Sequence, residues 1–270
     1  MPVINTNVNA LFAQSALRVN NRAMSTAMEQ LSTGSRINSA KDDAAGVSIA
    51  STMTAQIRGL SQGVRNVNDG VNLLQTAEGA MIEQTNMLQR MRELAMQAST
   101  DTYSTEQKGY LNNEYAALKG QITQITNQTQ WNGQAILTGT GSNDYNIAVD
   151  PTGVGSAIQV SIAGLNGLDT SLAASITTNA TDALGKIDDA LKAVNAARST
   201  IGAGINRLTY AGDNMNNIIQ NATASRSQVV DTDYATATTQ LARTQIIQQA
   251  ATAMLAQANQ QPQTVLALLK

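Results

Sequence analysis

The feature that most constrains this chain is a run of apolar residues spaced alternately three and four positions apart from Ala50 to Leu74. This is the a/d spacing of a coiled coil, in which one apolar stripe of a helix faces a partner helix. No proline interrupts residues 44–99, so the pattern predicts a helix about 80 Å long at about 1.5 Å per residue. A helix of this length needs another long helix beside it.

A second stripe in the same register runs from Leu184 to Ala222, interrupted only by Arg198 and Gly212. A shorter amphipathic stretch over 111–125 predicts a third helix. The predicted fold class is mainly α, a long antiparallel coiled-coil rod with a small β-hairpin region and paired terminal helices. The predicted seam of the rod consists of Ile57, Leu60, Val64, Val67, Val71, Leu74, Leu191, Val194, Ile201, Ile205 and Leu208.

Residues 130–178 differ from the rest in composition, being rich in Gly, Thr and Asn with alternating apolar positions. The alternation predicts hairpin strands near Tyr145–Val149 and Ile158–Ile162, joined by a turn at Asp150–Gly155. We expect a small β cap there rather than a second full domain.

Composition excludes several classes of function. The chain has no cysteine and no histidine, which removes Ser-His-Asp and Cys-His catalysis and every metal site built on these ligands. A net charge of −2 argues against a nucleic-acid binder or a polybasic membrane anchor. Aromatic residues make up only 3%, which is low for the core of a compact globule and agrees with long helical seams. We expect no enzyme, no cofactor and no membrane span.

The two ends form a further helical pair. Residues 5–32 and 236–258 carry apolar stripes composed largely of small residues, and such helices are marginal when isolated. One interpretation is that they pair with each other inside a single copy. The other is that they become ordered only when many copies pack together, so that folding is coupled to association.

Five segments resemble the bacterial flagellin family in both sequence and order. The resemblance covers about residues 1–137 and 180–270. The segments are MPVINTNVNALFAQ at 1–14, EQLSTGSRINSAKDDAAGVSIA at 29–50, LQRMRELAMQAS at 88–99, NQTQWNGQAIL at 127–137 and ANQQPQTVLALLK at 258–270.

This resemblance implies a structural subunit that self-assembles into the flagellar filament for swimming motility. It implies an extracellular location, reached unfolded through the type III apparatus of the flagellum. The expected partners are further copies of the chain, an export chaperone, the filament cap and the hook-junction proteins. The first 14 residues lack the basic and apolar stretches of a cleavable secretory signal, which agrees with this route.

The resemblance also implies a domain organisation. We expect residues 1–43 and 231–270 to form an inner terminal-helix domain that makes the filament core. Residues 44–230 would then form the rod domain, with helices at about 44–99, 104–129 and 180–225 and the β-hairpin region at about 130–178. Only about 40–50 residues separate the two halves that match, so no outer variable domains are expected.

The same resemblance implies roles for particular residues. It implies that five residues contact the flagellin-sensing Toll-like receptor of animals and also pack in the filament: Gln89, Arg90, Glu93, Leu94 and Glu114. The segment sensed by the flagellin receptor of plants includes Ser32, Gly34, Ser35, Arg36, Ile37, Asn38, Lys41, Asp42 and Asp43. Terminal assembly falls on Leu11, Leu17, Leu31, Ile246, Ile247, Met254, Leu266 and Leu269.

Three other functions are weighed against the filament subunit. A hook–filament junction protein shares the terminal pattern and is the nearest alternative, although the matches at 29–50 and 88–99 favour the filament subunit. A dedicated host-interaction ligand would need specificity residues outside the packed helices. An enzyme would need a site, and the adjacent carboxylates Asp42 and Asp43 are explained by their place just before a helix.

Overall fold

The computed structural model describes residues 7–139, 141–150, 157–172 and 175–268, except for the side chains of 169–170 and 261–268. Its helices are α1 (Val8–Thr33), α2 (Ala44–Ala98), α3 (Thr105–Gln128), α4 (Gly167–Ser171), α5 (Ala180–Val230) and α6 (Tyr234–Leu268). Its strands are β1 (Gln130–Trp131), β2 (Gln134–Ala135), β3 (Ser142–Ala148) and β4 (Ala157–Ala163).

Contacts within the chain divide it into two compact units. The terminal unit combines Met1–Ala55 with Asn221–Lys270, and the central unit is Gln56–Gln220. Helices α2 and α5 each contribute residues to both units, because each is longer than 50 residues. The two units are described separately below.

In the central unit α2 and α5 run antiparallel. A Cβ added at Gly204 of α5 would lie 3.4 Å from Leu74 Cδ1 of α2. Farther along, Arg92 Nε of α2 donates a hydrogen bond of 2.7 Å to Asp188 Oδ1 of α5. Moving toward the C-terminus of α2 therefore corresponds to moving toward the N-terminus of α5, as in an antiparallel coiled coil.

Large and small residues face each other across these two helices. A Cβ at Gly70 of α2 would lie 3.2 Å from Leu208 Cδ1, and a Cβ at Gly212 of α5 would lie 3.4 Å from Val67 Cγ1. Because a residue without a side chain faces a branched one, the helices can approach closely while their side chains interdigitate. The core residues of α2 and α5 with 0% exposure are Leu74, Ala77, Met81, Leu88, Met91, Ala95, Ala183, Ile187, Val194, Ile201 and Leu208.

The structure divides the predicted seam residues into two sets. The buried set is Leu60, Val67, Leu74, Val194, Ile201 and Leu208. The half-buried set is Ile57, Val64, Val71, Leu191 and Ile205. On α2 the remaining buried positions between Leu60 and Met81 include Gly63, Gly70 and Ala77, which carry too little side chain to contribute to a hydrophobic pattern.

Helix α3 packs against α2 and begins at a capping box. Ser104 Oγ accepts from the Gln107 backbone N–H, and the Gln107 side chain accepts from the Ser104 backbone N–H. A buried polar pair joins the two helices, with Gln84 Nε2 of α2 donating to Thr126 Oγ1 of α3 at 2.9 Å. Tyr115 of α3 is fully enclosed in the same core.

A two-residue turn follows α3. Asn132 and Gly133 connect β1 to β2 with φ values of 49° and 78°. A type I′ turn requires positive φ at both central residues, and Asn-Gly is the dipeptide that adopts it most readily. This turn explains why the chain reverses direction at this point.

The longer hairpin pairs β3 with β4 antiparallel, with Tyr145 opposite Val160. Val160 and Ile162 of β4 are buried, while alternate residues of β3 are exposed, so one face of the hairpin packs on the core. Apart from Asp150, the predicted turn at Asp150–Gly155 lies outside the described residues.

Glycines of α2 provide the surface on which the hairpin lies. A Cβ at Gly63 would come 3.1 Å from the Val149 carbonyl oxygen, and one at Gly70 would come 3.1 Å from Ile147 Cδ1. Between them, Asn66 Nδ2 donates to the Ala148 carbonyl at 3.0 Å. The end of β3 therefore rests directly against the helix backbone.

The terminal unit is built on α1 and α6, which pair along their length within a single chain. Asn7 caps the start of α1, because its side chain accepts from the Ala10 backbone N–H, and Gly34 caps the end with φ of 71°. The predicted fold class is confirmed: the protein is mainly α, with long antiparallel helices, a small β-hairpin region and paired terminal helices.

Candidate assembly surface

Two asparagine side chains connect the terminal helices. Asn20 Nδ2 donates to the Thr244 carbonyl at 2.7 Å, and Asn7 Nδ2 donates to the Ala258 carbonyl at 2.7 Å. The two bonds show that α1 and α6 are antiparallel. Asn20 is buried, so its side-chain N–H groups are shielded from water and need an acceptor inside the interface. The Thr244 carbonyl supplies one.

The buried side chains between α1 and α6 are small. Ala27 and Ala237 are 2% and 5% exposed. Small residues allow two helices to approach closely, but they bury little apolar area. The terminal pair therefore has a much smaller hydrophobic core than the central unit.

Large apolar side chains lie on the outside of this pair instead. Phe12 is 72% exposed and Met254 is 67% exposed. They flank a groove of about 580 Å³ whose lining is mostly apolar, formed by Phe12, Ala13, Ala16, Ile247, Ala250 and Met254 among others. Besides Phe12, Ile247 and Met254, the exposed large apolar residues among the described side chains of α1 and α6 are Val8, Leu11, Val19, Met28, Tyr234 and Ile246. Exposed apolar side chains gathered around a groove are typical of a protein–protein contact.

The residues predicted for terminal assembly fall into three groups. Leu11, Ile246, Ile247 and Met254 are exposed. Leu17 and Leu31 are half-buried. Leu266 lies in α6 but its side chain is not among those described, and Leu269 lies outside the described residues.

The turn after α1 is held against the junction of α5 and α6. The Arg36 backbone N–H donates to the Val230 carbonyl at 2.6 Å, and Arg36 Nη2 donates to the Val229 carbonyl at 2.8 Å. The Thr232 N–H donates to the Gly34 carbonyl at 3.0 Å, beside a bridge between Ser35 and Asp231. The backbone of the predicted plant-sensed segment is thus partly engaged within the folded chain.

Two carboxylates organise the rest of this segment. Asp42 Oδ2 accepts from the Ser39 backbone N–H, the Ser39 hydroxyl and the Asn38 backbone N–H, and these hydrogen bonds lower the pKa of Asp42. Asp43 Oδ1 accepts from the Gly46 backbone N–H at 2.9 Å and so caps the start of α2. Ile37 is buried, Asn38 donates to the Ser35 carbonyl, and Ser32 and Lys41 are exposed.

In the central unit an arginine joins α2 to α3. Arg90 Nε lies 2.9 Å from Glu114 Oε1, and Arg90 Nη1 lies 2.9 Å from Glu93 Oε2. The hydrogen bond to Glu114, followed by that to Glu93, raises the pKa of Arg90. Gln89 is exposed beside this pair, whereas Leu94 is buried in the core.

A second arginine two residues later joins α2 to α5. The hydrogen bond from Arg92 lowers the pKa of the Asp188 carboxyl. Both side chains are about half exposed, so water screens their attraction and each such ion pair adds little to stability. Their effect is on geometry, because they set which residues lie together on the surface.

Some structurally important residues carry no signal in a hydrophobic pattern. Gly63, Gly70 and Gly204 define the path of the hairpin, and Asn7 and Asn20 join α1 to α6. The signal that could have found the first two is their spacing of seven residues within a heptad pattern, which marks recurrent close approach.

The part of the chain that the structure describes offers neither a metal centre nor a membrane span. Nowhere in it do three or more Asp or Glu residues gather as a metal-binding group would require. None of its helices has an apolar stretch long enough to cross a bilayer. The candidate functional features that remain are the exposed surfaces of the helices.

Long paired helices, with large exposed apolar side chains on the terminal pair, define a mainly helical protein of the coiled-coil class. Comparison with known families agrees with this class. Residues 4–142 match the family model described as the bacterial flagellin N-terminal helical region. Residues 184–269 match the model of the bacterial flagellin C-terminal helical region.

Individual relatives are similar over their whole length. A flagellin of Halalkalibacterium halodurans is 44% identical, covering 99% of this chain and 100% of the relative. A flagellar filament 33 kDa core protein of Treponema phagedenis is 35% identical over 99% and 100%. The crystal structure of Bacillus cereus flagellin matches with a TM-score of 0.50 and 29% identity, covering 56% of this chain and 88% of that one.

The chain therefore belongs to the bacterial flagellin family. It is a structural subunit of a bacterial flagellar filament and polymerises with copies of itself. Nothing in the comparisons favours the hook–filament junction alternative.

Proposed function

We propose that the terminal unit is the part through which copies pack. Residues 1–43 and 231–270 would form the inner domain of the filament, and residues 44–230 the domain around it. The observation that carries this proposal is the apolar surface around Phe12 and Met254, since burying apolar area between copies contributes about 25 cal/mol per Å². The predicted terminal assembly residues belong to this contact.

The test is regrowth of filaments. The chain is heated to monomer, cooled with short filament seeds and observed by electron microscopy. We expect the unmodified chain and Met254→Leu to form long uniform filaments, and Met254→Glu to fail because it would bury a charge. Regrowth by Met254→Glu would contradict the proposed contact, while failure of the unmodified chain would contradict self-assembly itself.

A second test removes the terminal helices. A chain lacking either residues 1–43 or residues 231–270 should not polymerise, whereas the long helices of residues 44–222 should stay folded. Circular dichroism and electron microscopy report the two properties separately. A truncated chain that still forms filaments would exclude a role for the terminal unit in assembly.

We further propose that the chain is exported to the cell exterior through the flagellar type III apparatus. An export chaperone on the C-terminal segment would cover the exposed apolar residues of α6, such as Ile246 and Met254, before assembly. Filament growth would then occur under a cap and above hook-junction proteins. Secretion of the chain by flagellated cells, but not by cells lacking the export apparatus, is the expected result.

We propose that the Arg90 cluster contacts the flagellin-sensing Toll-like receptor. Arg90, Glu93 and Glu114 are exposed and joined across two helices, and Gln89 lies beside them. Leu94 is buried, so it would not touch the receptor itself but would hold α2, and with it the exposed cluster, in position. Arg90→Ala should weaken receptor activation, while Arg65→Ala, at an exposed arginine elsewhere on α2, should not.

We also propose that the flagellin receptor of plants recognises residues 32–43 mainly after they leave the folded chain. In support, Arg36 and Gly34 are hydrogen-bonded to the α5–α6 junction and Ile37 is buried. A protease-digested sample should activate the receptor more strongly than the intact chain at equal concentration. Equal activation by both samples would contradict this.

A further inference from the structure

Charge on the terminal helices is sparse. Helix α1 carries Arg18, Arg22 and Glu29, and α6 carries Arg243 and no acidic residue. All four side chains are exposed, and within the described residues none of them forms an ion pair. An unpaired guanidinium is well solvated on a free chain, but it becomes unfavourable when a neighbouring copy excludes water from it.

Arg22 and Glu29 lie on the same face of α1. They are seven residues apart, which is about two helical turns. Side chains on a helix pair when they are three or four residues apart, so these two do not satisfy each other within one copy. One face of α1 thus presents a cation near the middle of the helix and an anion two turns later, close to its C-terminus.

The other carboxylates of the terminal unit are already engaged. Asp42 accepts from Ser39, Asp43 from Gly46, Asp231 from Ser227 and Asp233 from Ala235 and Thr236. Among the carboxylates of this unit that the structure describes, Glu29 is the one whose oxygens accept no hydrogen bond within the chain, so both remain available to a cation of another molecule.

Charge complementarity points to a second copy as that molecule. In a helical polymer the contact is heterologous, so that one patch of each copy meets a different patch of the next. We propose that the stripe of α1 from Arg22 to Glu29 is such a contact, in which the Arg22 guanidinium of one copy pairs with the Glu29 carboxylate of another. This inference rests on the proposed function, because the pair forms only on assembly through the terminal unit.

Charge reversal in the full chain tests the pair. The variants are Arg22→Glu, Glu29→Arg, the double reversal Arg22→Glu with Glu29→Arg, and Arg22→Lys as the control that keeps the charge. Each is added to seeds of the unmodified filament, and also of its own kind, and sedimented to measure the monomer concentration left at equilibrium. Circular dichroism first checks that helix content is unchanged.

Each single reversal should raise the residual monomer concentration about tenfold or more, because like charges across a contact repel. The double reversal should restore it to within about threefold when it grows on its own seeds, and Arg22→Lys should stay near the unmodified chain. An equal mixture of the two single variants should also polymerise, because each supplies the charge that the other lacks.

The outcomes separate the two hypotheses. If the unmodified chain and Arg22→Lys polymerise but the double reversal does not recover, the pairing of Arg22 with Glu29 is wrong while assembly through the terminal unit stands. The same conclusion follows if both single reversals polymerise normally. If the unmodified chain fails to grow on its own seeds, the proposed function fails first.

Discussion

Tyr115 is enclosed at 0% exposure, and its hydroxyl has no hydrogen-bond partner among the described residues. A buried polar group left unpaired costs about 1–3 kcal/mol. Tyr115→Phe keeps the ring and removes that group, so we expect it to raise the free energy of unfolding by about 1 kcal/mol at neutral pH in urea denaturation. The exposed Tyr110 provides the control, because Tyr110→Phe should change stability little.

The same tyrosine predicts a pH dependence. Burial raises the pKa of Tyr115 to about 12, above the ordinary value of 10.0. Above pH 10 the unfolded chain ionises this phenol while the folded chain keeps it neutral, so the free energy of unfolding falls as pH rises from 10 toward 12. The stability of the unmodified chain should fall over this range, and that of Tyr115→Phe should fall less. A steeper alkaline loss in the variant would contradict the assignment.

At the scale of elements, two glycines of the same helix should respond in opposite ways to replacement by alanine. A Cβ at Gly63 of α2 would lie 3.1 Å from the Val149 carbonyl oxygen and 2.9 Å from Met215 Sδ, whereas a Cβ at Gly79 would meet nothing within 4 Å. We expect Gly79→Ala to stabilise the protein by about 0.5–1 kcal/mol through helix propensity. Gly63→Ala should destabilise it by about 1–3 kcal/mol, because the hairpin must move. Thermal denaturation of both variants measures the difference.

The carboxylate of Asp233 lies at the start of α6 and accepts hydrogen bonds from its first turn. Asp233 accepts from the Thr236 hydroxyl at 2.7 Å and from the Ala235 N–H, and these bonds lower the pKa of Asp233 below 3.8. A lowered pKa gives stability that is complete above the ordinary value and is lost as pH falls through the folded-state value. Helicity of the terminal unit should therefore decrease in acid, and Asp233→Asn should show a smaller acid-dependent change in circular dichroism. The matched control is Asp69→Asn in the middle of α2.

At the scale of the whole molecule, the two units differ in how much they bury. The central unit contains most of the buried apolar side chains, whereas those of the terminal unit, among the side chains that the structure describes, are Ala27, Ile37 and Ala237. Regions with few buried contacts open at lower free energy. In hydrogen exchange of the monomer, we expect amides of α1 and α6 to exchange faster than those of α2 between Leu74 and Ala98.

Polymerisation should change this order of amide exchange rates. If copies pack through the terminal unit, α1 and α6 should become strongly protected in filaments, with a smaller change in the middle of α2 and α5. Equal protection of α1 in monomer and filament would contradict assembly through the ends. This measurement also decides between the two interpretations of the ends, because folding coupled to association requires fast exchange in the monomer.

Much of this architecture could be predicted from the residue pattern. The heptad spacing from Ala50 to Leu74 indicated a long paired helix, because a repeat of 3.5 residues keeps one stripe on one side of a helix. The alternation around Tyr145 and Ile158 indicated a hairpin, because side chains on a strand point alternately to its two faces. Absent cysteine and histidine excluded whole classes of chemistry without any structure.

Only the tertiary structure decided which residues along each apolar stripe are most deeply buried. Val64 and Val71 fit the hydrophobic repeat and yet lie half-buried, whereas Gly63 and Gly70 are buried because the hairpin lies on them. The antiparallel register of α2 and α5, the links from Asn7 and Asn20 and the pairing of Arg90 with Glu114 likewise involve residues far apart in sequence. Local spacing determines which face of a helix is apolar, but only packing determines which distant residue that face meets and how closely.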